Sequence, residues 1–507
     1  MKILTNEEVR AIENRIIASG TSADTLMERA AEGIVAALAR EFPAARDVLC
    51  LIGKGNNGGD GLAVARRLAE AGWRVAVGLA FEPAAATPLC AAKLTWLRTA
   101  FPAVPVFSLT EPSRQPIPWP GAQGLVIDAL LGIGARGGLS PVLGEIVSLV
   151  NRERNGRFFR VAAIDGPTGA HRLAEKEEAL IADVTLTLGF GKEPLFAEAA
   201  ANAVGRIIAV PIFEGQEEEE RAASDRAEAL TPPLLLPLVP RRAARSHKGT
   251  YGRILIVGGS RGMTGAPVLS SLGALRSGAG LLHIATRKEA LATVSLRAPL
   301  EAMVVAAGDG ADFTGLLGRM SVLVVGPGLG TDYDASELLR RILAETTVPL
   351  VLDADALTLA AQDRTLLDAC RGRAILTPHP GEMERLLGRP CAEAEREAVA
   401  VGFAEEHGVV LVLKGVRTVV AAPGAPARLN TTGNPGLAAG GSGDLLAGMI
   451  AAQAGRGLAL REAASLAVWL HGRAADLAVR SRGAEEGLGA VEVAEWIAPA
   501  LADLRGA

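Results

Sequence analysis

Short, unbroken apolar runs recur along this chain, each giving way to a loop of Gly, Asp, Asn or Pro and in most cases then to a helical pattern. In order they are VLCLIG, RVAVGLA, GLVIDAL, RVAAID, VTLTLGF and RIIAVPI, then RILIVGG, VLVVGPG, LVLDADA, AILTP and VLVLKG. Continuous Val, Ile and Leu, without polar alternation, marks strands buried on both faces. Between such runs GLAVARRLAEAG sets Leu62, Ala65, Leu68 and Ala69 on one helical stripe. This order predicts α/β architecture, with mainly parallel sheets covered by helices. In open parallel sheets ligands bind beyond the carboxyl ends of the strands, so the loops are where chemistry is expected.

At 507 residues the chain exceeds one ordinary hydrophobic core. Composition shifts at 214–248, EGQEEEERAASDRAEALTPPLLLPLVPRRAARSHK, from acidic to proline-rich to basic, as in an interdomain linker. We therefore expect one α/β domain over 1–215, a linker over 216–244 and a second α/β domain over 245–507. The Pro-broken LLLPLV is expected to pack against one of them, since proline excludes it from a long helix. A net charge of −4 gives no electrostatic case for nucleic acid or an anionic membrane as partner. Cys50, Cys90, Cys370 and Cys391 form no CxxC pair, so neither a disulfide framework nor a zinc site is expected. MKILTNEEVRAIENR has acidic residues where a secretory signal needs an apolar core, and no apolar run approaches about 20 residues. A cytoplasmic location is the expectation.

The loop in LIGKGNNGGDGLAVARRL, residues 51–68, contains Gly53-Lys-Gly55-Asn-Asn-Gly58, a fit to the dinucleotide-binding GxGxxG. Asp60, expected at the following helix N-terminus, would repel a phosphate there, and Asn56 and Asn57 add side-chain groups where such a turn uses bare backbone. The alternative is a plain N-capped glycine turn. Two further loops weigh against it. GLVIDALLGIGARGG puts Asp128 at a strand end, and RVAAIDGPTG puts Asp165 at the next, with Thr168 three residues on. Two carboxylates and an asparagine amide converging there can hold a hard cation through oxygen, and a carboxylate not so used serves as acid or base.

These three loops resemble the signature loops of the NAD(P)HX epimerase family, the YjeF N-terminal domain, which interconverts the R and S epimers of hydrated NADH and NADPH. The resemblance implies a substrate pocket lined by Asn56, Asn57, Gly58, Gly59 and Asp60, and by Gly132, Ile133, Gly134, Ala135, Arg136, Gly137 and Gly138. It also implies potassium coordination by Asn57, Asp128 and Thr168, with Asp165 contacting substrate as acid/base. Where the family reads Asp, an aliphatic residue, then Pro-Ser-Gly, this chain reads Asp-Gly-Pro-Thr-Gly-Ala-His, and Thr168 keeps the hydroxyl.

In the second half, HKGTYGRILIVGGSRGMTGAP gives a strand, a GGS turn and a helix start at Ala266, and VLVVGPGLG sets Gly326, Gly328 and Gly330 after a strand. LVLDADAL supplies Asp353 and Asp355, and ILTPHPGEM holds His379 between two prolines that restrict its backbone. In NTTGNPGLAAGGSGDLLAGM, Gly440, Gly441, Ser442 and Gly443 run into Asp444 and an apolar helix. Backbone N–H groups at such a helix start can stabilise a phosphoryl group in transit, and Asp444 can take a proton from a substrate hydroxyl. No GxxxxGK[ST] segment is present, which excludes a P-loop. An N-capped helix after a flexible turn is the bland alternative.

GGS, GPGLG, DADAL, TPHPGEM, LKG and NPGLAAGGSGD resemble, in order, the ribokinase-like ADP/ATP-dependent NAD(P)HX dehydratase family, the YjeF C-terminal domain. The resemblance implies Asp444 as base, Ala266, Gly328 and His379 on the hydrated cofactor, and Lys414, Gly415, Val416, Arg417, Thr418 and Gly443 on ADP or ATP with Mg²⁺. The expected substrates are thus NADHX and NADPHX, in a chain expected to form a homo-oligomer. Two alternatives stay open: a ribokinase-like small-alcohol kinase, and a first domain that binds nucleotide without catalysis.

Overall fold

The computed structural model describes residues 1–506 except 115, 133, 136, 172–177 and 309–310. The chain divides into two compact units, Met1–Ala227 and Glu228–Ala507. The division falls inside 216–244, where the chain forms a helix at Gln216–Ala222 and a strand at Ala227–Ala229. Leu235 and Val239, from LLLPLV, are buried in the core of the second unit.

Unit 1 begins with β1 (Lys2–Leu4), α1 (Asn6–Ala18) and α2 (Ala23–Glu41), followed by β2 (Asp47–Ile52), α3 (Asn56–Glu70) and β3 (Arg74–Leu79). Then come α4 (Pro88–Ala100), β4 (Val106–Ser108), β5 (Leu125–Ala129), α5 (Pro141–Arg157) and β6 (Arg160–Ile164). β7 (Val184–Leu188), β8 (Gly191–Lys192) and β9 (Arg206–Val210) complete the strands. The main sheet runs β4-β3-β2-β5-β6-β7-β9, parallel throughout. Chain order reverses between β2 and β5, which pair through Leu51–Asp128 and Ile52–Ala129. The loops after these two strands therefore open on the topological switch point, where doubly wound sheets take their ligands. Leu62, Ala65 and Leu68 of α3 are buried as the stripe requires, and α2 packs Leu26, Met27, Ala30, Ile34 and Leu38 into the same core. Apart from the main sheet, β1 pairs in parallel with β8, Ile3 beside Gly191 and Leu4 beside Lys192.

In unit 2 the sheet order is Ala302–Ala306, Leu281–Thr286, Arg253–Val257, Val322–Val325, Leu350–Leu352, Ala374–Leu376, Val410–Leu413, Val419–Ala421 and Ala427–Leu429. The first seven run parallel and the last two join antiparallel. The helix Ser442–Gly455 is apolar nearly all round and lies in the core, as such helices must. It crosses the helix Gly265–Arg276 through glycines: a Cβ on Gly448 would lie 1.8 Å from the Ser270 carbonyl oxygen, and one on Gly273 2.1 Å from that of Leu445. Ser270 Oγ donates to the Asp444 carbonyl at 2.8 Å across this contact. Both units are thus α/β with largely parallel sheets, as the apolar runs require. Among the described residues no helix is long and apolar enough to cross a membrane.

Candidate functional site

Each unit gathers polar groups at the carboxyl ends of its parallel strands. In unit 1, Asn56 through Asp60 are the first five residues of α3, whose cap, Gly55, offers no side-chain bond. Asp60 therefore lies inside the helix rather than at its terminus, which corrects the expectation. The glycines explain the shift. A Cβ on Gly58 would fall 1.8 Å from the Gly53 carbonyl oxygen, and one on Gly53 itself 1.8 Å from that of Leu130. Bare backbone lets the helix start early, directly against the loops after β2 and β5.

Asp128, at the end of β5, is fully buried. Its carboxylate accepts from Thr168 N at 2.7 Å, Thr168 Oγ1 at 2.8 Å and Leu130 N at 3.1 Å. Thr168, also fully buried, accepts from Leu131 N at 3.1 Å. Asn57 ties in the third loop: oriented to satisfy both contacts, its amide nitrogen donates to the Ile164 carbonyl at 3.2 Å and its oxygen accepts from Gly132 N at 3.3 Å. Desolvation pushes Asp128 up to about 6, against the bonds from Thr168 and Leu130. Its partners are neutral, and among the described residues it has no ion pair, so one buried negative charge is met by hydrogen bonds alone. Oxygen donors from Asn57, Asp128 and Thr168 with a single formal charge suit a monovalent cation better than a divalent one.

Asp165 follows β6 with φ +65°, a left-handed conformation rare outside glycine, and its N–H donates to the Leu186 carbonyl at 2.8 Å. Its Oδ1 accepts from the ammonium of Lys192, which is 3% exposed. Burial, then the charges of Asp165 and Glu13, hold Asp60 well above the usual carboxylate range, against Lys192 and Lys93. The loop after β5 is held from two sides: Arg10 Nη2 donates to the Gly134 carbonyl at 2.6 Å, and His171 Nε2 lies 3.1 Å from that of Gly137. Gly132 N–H and the Ala135 turn lie on this loop, as does Gly138; Ile133 and Arg136 lie outside the described residues. Lys192 and Glu13 escaped sequence reasoning. Lys192 follows VTLTLGFG directly, a strand-end position like those of Asp128 and Asp165, and that was the available signal.

In unit 2 the centre is Lys414, at the end of strand Val410–Leu413. Its ammonium lies 2.8 Å from Asp353 Oδ1 and 3.8 Å from Glu382 Oε2. Asp353, 1% exposed, also accepts from Thr377 Oγ1 at 2.8 Å. The next residue, Ala354, has φ +50°, and this turn sends Asp355 elsewhere, to accept from Gly330 N at 2.8 Å. Asp444 is the third residue of helix Ser442–Gly455, beside the capping Gly441 at φ +89°. Burial, then the carboxylate of Asp353, push Asp444 up to about 7, opposed by Lys414. A Cβ on Gly443 would lie 3.1 Å from Lys414 Nζ, so this glycine joins the helix start to the lysine.

His379 caps helix Pro380–Leu387 in a reciprocal box: Glu382 N donates to its Nδ1 at 3.3 Å and its own N–H donates to Glu382 Oε2 at 2.7 Å. The ring itself stays about half exposed, at 52%. Gly328 at φ +63° meets Ala266, whose Cβ would lie 3.3 Å from one placed on the glycine. The turn Gly415–Thr418 follows Lys414, with Val416 exposed, Arg417 buried and Thr418 Oγ1 donating to the Gly415 carbonyl at 3.0 Å. Lys414, Gly443, Asp444 and His379 are thus brought together, and Ala266 with Gly328. Missed by sequence reasoning were the Glu382 contact, the choice of Asp353 as partner of Lys414, and the support behind the glycine turn. That support is the helix Leu460–Arg482: His471 Nε2 lies 3.3 Å from Ser442 Oγ, and Asp476 accepts from Gly433 N at 3.2 Å and Asn434 Nδ2 at 3.1 Å.

A parallel α/β unit opening at its switch point and a second one with a phosphate-type helix start define a two-domain α/β nucleotide enzyme class. Family comparison gives YjeF-related protein N-terminus over residues 23–193 and NAD(P)H-hydrate dehydratase over 254–498. The bifunctional NAD(P)H-hydrate repair enzyme of Coxiella burnetii is 36% identical over 498 residues, 96% of this chain and 97% of its own. The ADP-dependent (S)-NAD(P)H-hydrate dehydratase of Neisseria meningitidis is 40% identical over 54% of this chain and 93% of its own. Among solved structures, a ribokinase-like superfamily protein of Enterococcus faecalis matches 55% of this chain and 96% of its own at 29% identity, TM-score 0.50. The chain belongs to the family of bifunctional NAD(P)H-hydrate repair enzymes.

Proposed function

We propose that this chain repairs hydrated nicotinamide cofactors: residues 1–215 interconvert R- and S-NAD(P)HX, and residues 245–507 dehydrate the S epimer at the expense of ADP or ATP. The observation that carries the reading is Asp444, poised near neutrality at a glycine-flanked helix start beside Lys414. There it accepts the ring hydroxyl's proton as that oxygen attacks the terminal phosphorus of the nucleotide. Phosphate is a far better leaving group than hydroxide; its departure with the C–O bonding electrons, together with loss of a proton from the adjacent ring carbon, restores the dihydronicotinamide double bond. Gly443 and the turn Lys414–Thr418 face the nucleotide, whose phosphates carry Mg²⁺; Ala266, Gly328 and His379 face the cofactor. The names of the Coxiella and Neisseria relatives support both activities and the nucleotide.

In unit 1, Asn57, Asp128 and Thr168 hold K⁺, which neutralises the buried charge of Asp128 and so fixes three loops together. The pocket is formed by Asn56–Asp60 and the loop from Gly132 to Gly138, with Asp165 at the substrate ring. The chain acts in the cytoplasm, without nucleic acid or membrane. It assembles with further copies of itself through the face that carries Leu296 and Leu300, 87% and 102% exposed, beside Arg297 and Glu301. Light scattering is expected to give a mass above one chain, and Leu300→Glu to lower it.

The test is recovery of dihydronicotinamide near-ultraviolet absorbance from mixed R- and S-NADHX, with ADP or ATP, K⁺ and Mg²⁺, against a control without nucleotide. Complete recovery carries both activities and names the phosphoryl donor. Recovery that stops at the S fraction leaves unit 1 as a binding module. No recovery by folded protein removes the repair reading and leaves the small-alcohol kinase.

A further inference from the structure

In unit 1 four ionisable groups from four chain segments influence one another: Glu13 on α1, Asp60 on α3, Asp165 after β6 and Lys192 on β8. Asp165 contacts the Lys192 ammonium directly, while Glu13 and Asp60 feel its charge, Arg10 also acting on Glu13 and Lys93 on Asp60. The ammonium is committed. Besides Asp165 Oδ1, it donates to the Leu188 carbonyl at 2.8 Å and approaches Thr187 Oγ1 at 3.4 Å. Its three protons are thus all directed at oxygens, and none is left to deliver to a substrate. What remains is an anchor. Asp165 Oδ1 is tied down, while Oδ2 faces the loop after β5, 3.2 Å from where a Cβ on Gly132 would stand. The left-handed backbone of Asp165, at φ +65°, aims the same carboxyl.

Resting on the epimerase reading of this unit, we propose that Lys192 is a positioning residue that reserves Asp165 as the base and leaves Asp60 as the proton donor. Hydration of an enamine leaves the hydroxyl on the carbon bonded to nitrogen. Asp60 gives its proton to that hydroxyl, the C–O bond breaks, and the nitrogen lone pair forms a C=N bond as water departs. Water then adds to the opposite face, its oxygen forming the new C–O bond while Asp165 takes the released proton. One proton leaves Asp60 and one arrives at Asp165, so a single proton exchange resets the pair with no redox change. The burial-driven upward shift of Asp60 supports this division, because two carboxyls in different environments sort into acid and base.

β1 and α1 extend the argument. Leu4 pairs with Lys192, and Glu13, pushed up by burial, feels the charges of Lys192 and Asp165. Both lie ahead of residue 23, where the family match begins. The strand β1 and the helix α1 therefore border the site.

The test follows R-to-S conversion chromatographically in the whole chain without nucleotide, from pH 5 to 10, in wild type, Lys192→Met, Lys192→Arg and Asp60→Asn. Dehydration of pure S epimer by each variant checks that the protein is intact. Lys192→Met is expected to lower kcat about 100-fold with KM nearly unchanged, because the carboxyl of Asp165 is no longer held in place. Lys192→Arg is expected to restore much of kcat, and Asp60→Asn to remove the alkaline limb of the profile. A wild-type kcat in Lys192→Met overturns the proposal. If Lys192→Met does not fold, an alkaline limb retained in Asp60→Asn overturns it instead. A wild type that dehydrates S epimer but never converts R defeats the epimerase reading itself, a distinguishable outcome.

Discussion

Lys414 sets its ammonium 2.8 Å from Asp353, not Asp444, so the cation of the unit 2 site is taken up by a carboxylate that is 1% exposed. Asp444 is left with burial and the carboxylates of Asp353, Asp355 and Glu382 raising its affinity for a proton, opposed by Lys414. The geometry separates two aspartates of one sign into a structural anion and a titrating base.

Dehydration should accordingly rise with pH through about 7, as Asp444 ionises and becomes able to accept the hydroxyl proton. Asp444→Asn is expected to lower kcat by about 10²–10⁴-fold, the usual contribution of a positioned base. Nucleotide binding, followed by titration calorimetry, should persist. A kcat within tenfold of wild type would remove Asp444 from the chemistry.

Removing Lys414 acts through stability as well as binding. Lys414→Met leaves Asp353 buried with only the Thr377 hydroxyl, and loss of one partner of a buried pair costs about 3–5 kcal/mol. The double variant Lys414→Met/Asp353→Leu should recover much of that stability without recovering activity. Thermal melts and S-epimer turnover separate the two effects.

Much of this was legible because the apolar runs and their loops are local signals. Strand ends at Asp128, Asp165 and Lys414 follow from unbroken Val, Ile and Leu, and parallel pairing then places each at the carboxyl edge of its own unit's sheet. Pairing was not legible. DAD offers two aspartates, and only the φ +50° turn at Ala354 decides that Asp353 meets Lys414 while Asp355 meets Gly330. Lys192 meets Asp165 because β8 pairs with β1, a register set by the first residues of the chain and invisible in any window around GFGKEP. Asp60 was misplaced because NNGGDG reads as a turn, whereas its glycines serve close backbone approach within a helix.

That approach is directly testable. Gly58→Ala puts a methyl 1.8 Å from the Gly53 carbonyl oxygen, a backbone atom with no rotamer to yield. Overpacking of this kind costs about 1–3 kcal/mol or more, and the first turn of α3 must shift. R-epimer conversion should be lost while turnover of pure S epimer by unit 2 is retained. Wild-type epimerisation would show that the loops after β2 and β5 need not touch α3 so closely.

The proposed K⁺ site on Asn57, Asp128 and Thr168 gives a prediction with a fixed sign. Asp128 titrates near 6 in the folded chain, against an ordinary value of 3.8, so folding takes up a proton between the two. Its contribution, about 3 kcal/mol, is complete below about 4 and is lost as pH rises through about 6. A bound K⁺ reverses this, since it meets the ionised carboxylate and competes with the proton. Raising K⁺ against a background of a large organic cation should therefore increase the melting temperature more at pH 8 than at pH 5. Thr168→Val, which removes the hydroxyl 2.8 Å from Asp128, should abolish that difference. A K⁺ effect equal at both pH values would place the ion elsewhere than on Asp128.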